Sequence, residues 1–135
     1  MRYDRRQMLV IATIHHFSLC VSDLARARHF YGDVLGLREL PRPPFHFEGA
    51  WYEVGDRQLH LIVRPDATTM RGITTIDPGD GHVALRVASY RDAVAHLHAH
   101  GVACREFPTN VTPWPQVFVA DPDGNQIELN AERLD

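Results

Sequence analysis

Apolar and polar positions alternate along His16-Phe-Ser-Leu-Cys-Val21 and again along His82-Val-Ala-Leu-Arg-Val87. That two-residue period belongs to a strand with one buried face. Each run then gives way to helical spacing. Leu24, Ala27, Phe30, Tyr31, Val34 and Leu35 recur at three and four residues, Ser22 or Asp23 can cap them, and Gly36 ends them. Ser89, with Asp92 three residues on, caps a second helix that carries Val94 and Leu97 and stops at Gly101. Strand patterning resumes after each helix. It covers Leu37 to Leu40, Phe47 to Val54 and Gln58 to Val63 first, then Val102 to Phe107, Gln116 to Ala120 and Gln126 to Asn130. With Ile14 to Val21 and His82 to Ala88 as opening strands, both halves read βαβββ. Gly55-Asp56 and Asp121 to Gly124 supply the tight turns before the last strands.

The halves are copies of one unit. The opening histidine returns 66 positions downstream, from 16 to 82, and Gln58-Leu-His-Leu61 returns 68 positions downstream as Gln126-Ile-Glu-Leu129. Duplication at half the chain length predicts one domain, residues 1–135, with module 1 at about 13–64, a linker at 65–80 and module 2 at about 81–131. The linker is rich in Thr, Asp, Pro and Gly and longer than an ordinary connection, so it is expected to cover a site or reach a partner chain. One helix for four strands in each module predicts an α+β fold. The two tandem βαβββ modules would form an eight-stranded curved sheet, a half-open barrel with helices outside and a concave inner face.

Alternation also aims the side chains. Phe17, Leu19 and Val21 must face the helix, which puts His16 on the other face and His15 on the packed side. The same test sets His82 against Val83, Leu85 and Val87, His60 against Leu59, Leu61 and Val63, and Glu128 against Ile127 and Leu129. A lone strand histidine is usually structural. Four ligand-type residues that repeat with the unit and share the helix-free face point instead to a metal centre. Three imidazoles and one carboxylate favour Zn, Ni, Co, Fe or Mn over Mg or Ca. Glu128 is the one evident base. Gln58, Arg86, Gln126 and Asn130 are placed to orient polar substrate groups, and Trp114 and Phe118, with Trp51 and Phe47, to form an apolar wall. Cys20 shares the inner face with His16. His29, His96, His98 and His100 read as solvated residues on or beside helices, and His46 as a loop residue.

Composition narrows the partners. The 135 residues are 44% hydrophobic and 23% charged, with a net charge of −3, which provides no field for a polyanion and excludes nucleic acid. Cys20 and Cys104 both fall in strand segments, so a disulfide framework is not implied and a reducing compartment is expected. The apolar run near the N-terminus is too short for a membrane span and lacks a small-residue cleavage site, giving a cytoplasmic expectation with fraying up to about Met8.

The run HFSLCVSDLARARHFYGDVLGL, the second opening HVALRV and the ending FVADPDGNQIELN resemble the vicinal oxygen chelate superfamily. That superfamily includes glyoxalase I, fosfomycin-resistance thiol transferases, methylmalonyl-CoA epimerase, extradiol dioxygenases and bleomycin-resistance proteins. The likeness spans about residues 13 to 131. It implies metal at His16, His60, His82 and Glu128, a small-molecule substrate chelated through vicinal oxygens, and a homodimer whose partner, in some members, completes the site. In glyoxalase I the position matching His60 is generally Glu, so this chain keeps only Glu128 of that carboxylate pair. The resemblance implies a metal-dependent, glyoxalase-like enzyme of the lactoylglutathione-lyase type, with lyase or isomerase chemistry. The alternatives are a thiol transferase, an epimerase, or a non-catalytic drug-binding protein. A fourth ligand at His60 argues against a ring-cleaving dioxygenase, whose facial triad has three protein ligands.

Overall fold

The computed structural model describes residues 9–66 and 69–135, so the fraying expected up to Met8 lies outside them. Module 1 runs β1 (His16–Val21), α1 (Leu24–Arg28) continued by a π-helical segment (His29–Val34), β2 (Arg38–Leu40), β3 (Gly49–Val54) and β4 (Arg57–Val63). Module 2 runs β5 (Val83–Arg86), α2 (Tyr90–Ala99), β6 (Cys104–Phe107), β7 (Gln116–Ala120) and β8 (Gln126–Asn130). Asp23 caps α1 by accepting from the Arg26 amide at 2.9 Å, and Ser89 caps α2 by accepting from Asp92 at 3.2 Å. Gly36 and Gly101 follow the helices at φ 72° and 66°, a conformation that costs glycine nothing.

Each module folds its four strands in the same order, β1-β4-β3-β2 and β5-β8-β7-β6. First and last strands are parallel neighbours, and the rest of each ladder is antiparallel. The eight strands are therefore divided between two four-stranded sheets that do not close into a barrel. Side chains alternate as the pattern demands. Val21, Ala50, Tyr52, Leu59 and Leu61 from one sheet and Val83, Val117, Val119, Ile127 and Leu129 from the other join Tyr31, Val34, Tyr90 and Leu97 in one buried core. Burial of those apolar faces is the main force holding the fold. Both sheets turn their other face away from the helices.

A polar latch joins the modules. The Asp121 carboxylate, 4% exposed, accepts from Tyr31 Oη at 2.7 Å and from the Asn125 amide nitrogen at 2.8 Å. Asn125 Nδ2 also donates to the Cys20 carbonyl at 2.9 Å, and Ser22 donates to Asp123 through backbone and hydroxyl. Burial, the largest influence, raises the pKa of both Tyr31 and Asp121. The turn that carries this latch needs Gly124. Its φ is 86°, and a Cβ there would stand 2.7 Å from the Thr74 Cα.

The linker packs onto module 2. Arg71 donates to the Gly124 carbonyl at 3.0 Å and pairs with Asp80 at 3.2 Å, its side chain only 5% exposed. Among the described residues no helix is long and apolar enough to cross a membrane.

Candidate functional site

On the helix-free face of the first sheet, the parallel β1–β4 ladder sets His16 opposite Gln58 and Ser18 opposite His60, with Trp51 of β3 beyond His60. The result is a stack of three rings. His60 lies 4.0 Å from Trp51 with planes 3° apart, and 4.0 Å from His16 with planes 20° apart. Its Nε2 lies 2.8 Å from Gln58 Oε1, so the N–H donates there and Nδ1 keeps its lone pair. Burial lowers the His60 pKa from 6.5 to about 4, assisted by the charges of His16, His15 and Arg42. A neutral imidazole with one nitrogen already engaged is the form that binds a metal.

The second sheet repeats the arrangement with different chemistry. Ala84 and Phe118 flank Glu128 on its ladder rungs, and Gln116 faces Asn130. Glu128, 4% exposed, accepts from Gln116 Nε2 at 2.9 Å through one oxygen and from Asn130 Nδ2 through the other. Arg86 in turn donates to Asn130 Oδ1 at 2.6 Å. His82 Nδ1 lies 2.8 Å from the Asp80 carbonyl, an obligate acceptor, so it must carry the proton. In neutral His82 the lone pair is then on Nε2, 3.3 Å from Glu128 Oε1. Two acceptors face each other across that gap. Only a cation between them, metal or proton, turns the contact into an attraction, and the donor set fits a metal on that ground.

The structure thus places the four expected ligands as two pairs, His16 with His60 and His82 with Glu128. Among the described residues, no three of these four come within joint reach of one ion in a single chain. Convergence is expected within one chain or across a dimer, and a single chain brings the four together as two half-sites. The reason lies in the topology: a parallel β1–β4 or β5–β8 pair brings first- and last-strand residues together inside a module, whereas no ladder joins the two sheets.

His15 also differs from expectation. The strand begins at His16, so alternation does not govern His15, and its Nδ1 sits 2.8 Å from His16 Nδ1 rather than on the packed side.

Other expected residues take definite places. Asn130 and Arg86 hold Glu128 as described. Phe118 is buried on the site face, meeting the His82 ring edge-on at 5.2 Å. Trp114, half-buried, lies 6.0 Å from the Arg86 guanidinium, and its buried Nε1 has no hydrogen-bond partner among the described residues. Gln126 is committed elsewhere. Its amide accepts from the Asp77 amide at 2.6 Å and donates to the Asp77 carbonyl at 2.7 Å, pinning the linker. Gln116 was not singled out from the sequence, although alternation along β7 puts it on the Phe118 face. Arg42 was missed too. Its guanidinium lies 4.9 and 5.0 Å from the Phe45 and Phe47 rings.

Comparison with known proteins bears on family and fold. The sequence profile of the Glyoxalase/Bleomycin resistance protein/Dioxygenase superfamily matches residues 13–129. The chain is 28% identical to Glyoxylase I 4 of Arabidopsis thaliana, over 96% of this chain and 76% of that protein. It is 31% identical to the lactoylglutathione lyase of Salmonella typhimurium, over 84% of this chain and 88% of that one. Its fold matches a variant of the fosfomycin resistance protein FosX from Listeria monocytogenes, solved with Mn(II) and 1S,2S-dihydroxypropylphosphonic acid. There the TM-score is 0.73 and the identity 19%, covering 93% of this chain and 95% of FosX.

Proposed function

We propose that this chain, which belongs to the Glyoxalase/Bleomycin resistance protein/Dioxygenase superfamily, is a metal-dependent, glyoxalase-like enzyme. It acts on a small substrate bearing two adjacent oxygens, by proton transfer of the lyase or isomerase kind. The observation that carries this reading is the His82–Glu128 pair, with the imidazole Nε2 held 3.3 Å from the carboxylate Oε1.

His16, His60, His82 and Glu128 would hold the ion, drawn from Zn, Ni, Co, Fe and Mn. Because one chain supplies two half-sites, the His16–His60 pair of one copy meets the His82–Glu128 pair of a second in a homodimer. Exposed apolar residues support a second copy: Leu9, Val10 and Ile11 are 87%, 75% and 76% exposed, and Phe17 on the edge strand β1 is 39% exposed. Such a run on an isolated monomer is unusual.

When bound, the divalent ion supplies Lewis acidity to the chelated oxygens. Glu128 is the base of the set. It takes a proton from the substrate carbon beside the oxygens and returns it to the neighbouring carbon. Gln116 and Asn130 each occupy one of its oxygens, so the carboxylate keeps its orientation while it exchanges that proton. Phe118 and Trp114 give the pocket an apolar wall that limits water, and Trp51 fixes the plane of His60.

A second reading is group addition to a chelated substrate, in the manner of the fosfomycin resistance proteins. His60 favours it, because this chain keeps one carboxylate where glyoxalase I generally has two. The test begins with metal analysis of untagged protein, followed by a substrate panel led by the hemithioacetal of methylglyoxal and glutathione. We expect bound transition metal, removable by chelator together with isomerase activity. Protein that neither carries nor acquires such an ion refutes the proposal, and metal-loaded protein inert toward the hemithioacetal moves the second reading ahead.

A further inference from the structure

Outside both half-sites, His98, Cys104 and Glu106 offer an imidazole nitrogen, a thiol sulfur and a carboxylate oxygen that all lie within 4.8 Å of one another. Rigid elements set this arrangement. Cys104 and Glu106 are alternate residues of β6, paired with Val119 and Val117 of β7, and so share one face of the strand. Arg105 and Phe107 take the other face, where Phe107 meets Phe118 edge-on at 5.9 Å. His98 stands in the last turn of α2, with Nε2 3.1 Å from Glu106 Oε2. The His98 and Glu106 side chains are 57% and 40% exposed, so an ion reaches them from solvent. Cys104 is a free, half-buried thiol.

We propose that His98, Cys104 and Glu106 form a second metal site, on the outer surface, for a zinc-class divalent ion. Thiolate and imidazole select Zn and its neighbours over Mg and Ca, and the carboxylate completes three of four tetrahedral positions with water in the fourth. Ligands about 2.1 Å from a tetrahedral ion stand roughly 3.4 Å apart. The 3.1 Å between His98 and Glu106 is close to that edge. On binding, Cys104 Sγ forms a bond to the metal and its proton leaves to solvent, with no change of oxidation state. The ion ties the last turn of α2 to β6. It also makes the chain hold one metal more than the catalytic site accounts for. This site stands whether or not the catalytic proposal holds, since it shares no residue with either half-site.

Titration of Co²⁺ into chelator-treated full-length protein tests it. We expect a near-ultraviolet thiolate-to-cobalt charge-transfer band that saturates with one equivalent per chain beyond any taken up by the catalytic site. Cys20→Ser should keep the band, because Cys20 lies on the helix-free face of β1, and His16→Ala should keep it as well. Cys104→Ser should lose it. His98→Ala and Glu106→Ala, both at exposed positions, should weaken Co²⁺ binding by about tenfold or more, the scale on which even outer partners of a metal ligand act. If Cys104→Ser fails to fold, alkylation of wild type read by mass spectrometry decides the matter. Zn²⁺ should protect Cys104, and protection should vanish in His98→Ala and Glu106→Ala. No band in wild type, a band surviving in Cys104→Ser or lost in Cys20→Ser, or alkylation indifferent to Zn²⁺ would overturn the proposal.

Discussion

Acidification should unfold this protein partly through one residue, His60. Its imidazole is 7% exposed and held between Trp51 and His16, and its pKa is lowered from 6.5 to about 4. In the unfolded chain the same group takes up a proton near its ordinary value. Between those limits the unfolded state binds more protons, so stability is fully present above about pH 6.5 and declines as pH falls toward 4. Complete passage costs about 3 kcal/mol, and at about pH 5 the loss is already about 2 kcal/mol. His60→Phe keeps an aromatic ring in the stack and removes the proton site. Urea unfolding of chelator-treated wild type and His60→Phe, at about pH 7 and about pH 5, isolates the effect because every other titrating group is common to both. Wild type should lose about 2 kcal/mol more than the variant over that interval. Equal losses in the two proteins would refute the claim that His60 is held neutral by its surroundings.

Tyr31→Phe should lower stability by about 2 kcal/mol in the same assay, because it strips a hydrogen bond from the buried Asp121 carboxylate; a change under about 0.5 kcal/mol would mean the latch contributes little. Glu128→Gln should keep much of its bound metal, since an amide oxygen still ligates, yet lose turnover by about 100-fold or more. Retained turnover would remove Glu128 as base. His60→Glu restores a second carboxylate, so hemithioacetal isomerisation should exceed wild type; efficient wild-type activity destroyed by this change would point to His60 itself as a base.

The strand–helix order was legible because it rests on periods of two and 3.6 residues, which burial of one face enforces. β7 and β8 begin and end where the pattern places them. β1 starts at His16, two residues later than Ile14, and its first rung on β4 pairs His16 with Gln58. The facing of His16, His60 and Glu128 was equally legible, because alternation is a property of each strand alone; His82 precedes β5 and is oriented by its Nδ1 contact to the Asp80 carbonyl. The separation of the four into two pairs was not legible. Distance between two sheets depends on how the modules pack, and no period along the chain encodes it. Gln116 carried a signal in its alternation with Phe118 that its neutral amide made easy to pass over. His98 carried none, since its meeting with Cys104 and Glu106 arises from the packing of α2 beside β6.

In the proposed homodimer, one copy's His16 and His60 share an ion with His82 and Glu128 of a second copy. Two double variants test it most directly, His16→Ala/His60→Ala and His82→Ala/Glu128→Ala, each in a Cys104→Ser background that silences the surface site. Alone, neither should hold metal. Mixed, unfolded and refolded together, they should recover about a quarter of the parent's metal, because random pairing makes about half the dimers mixed and each mixed dimer restores one site of two. Recovery near zero from a mixture that demonstrably contains mixed dimers, or full metal in either double variant alone, would contradict the shared site.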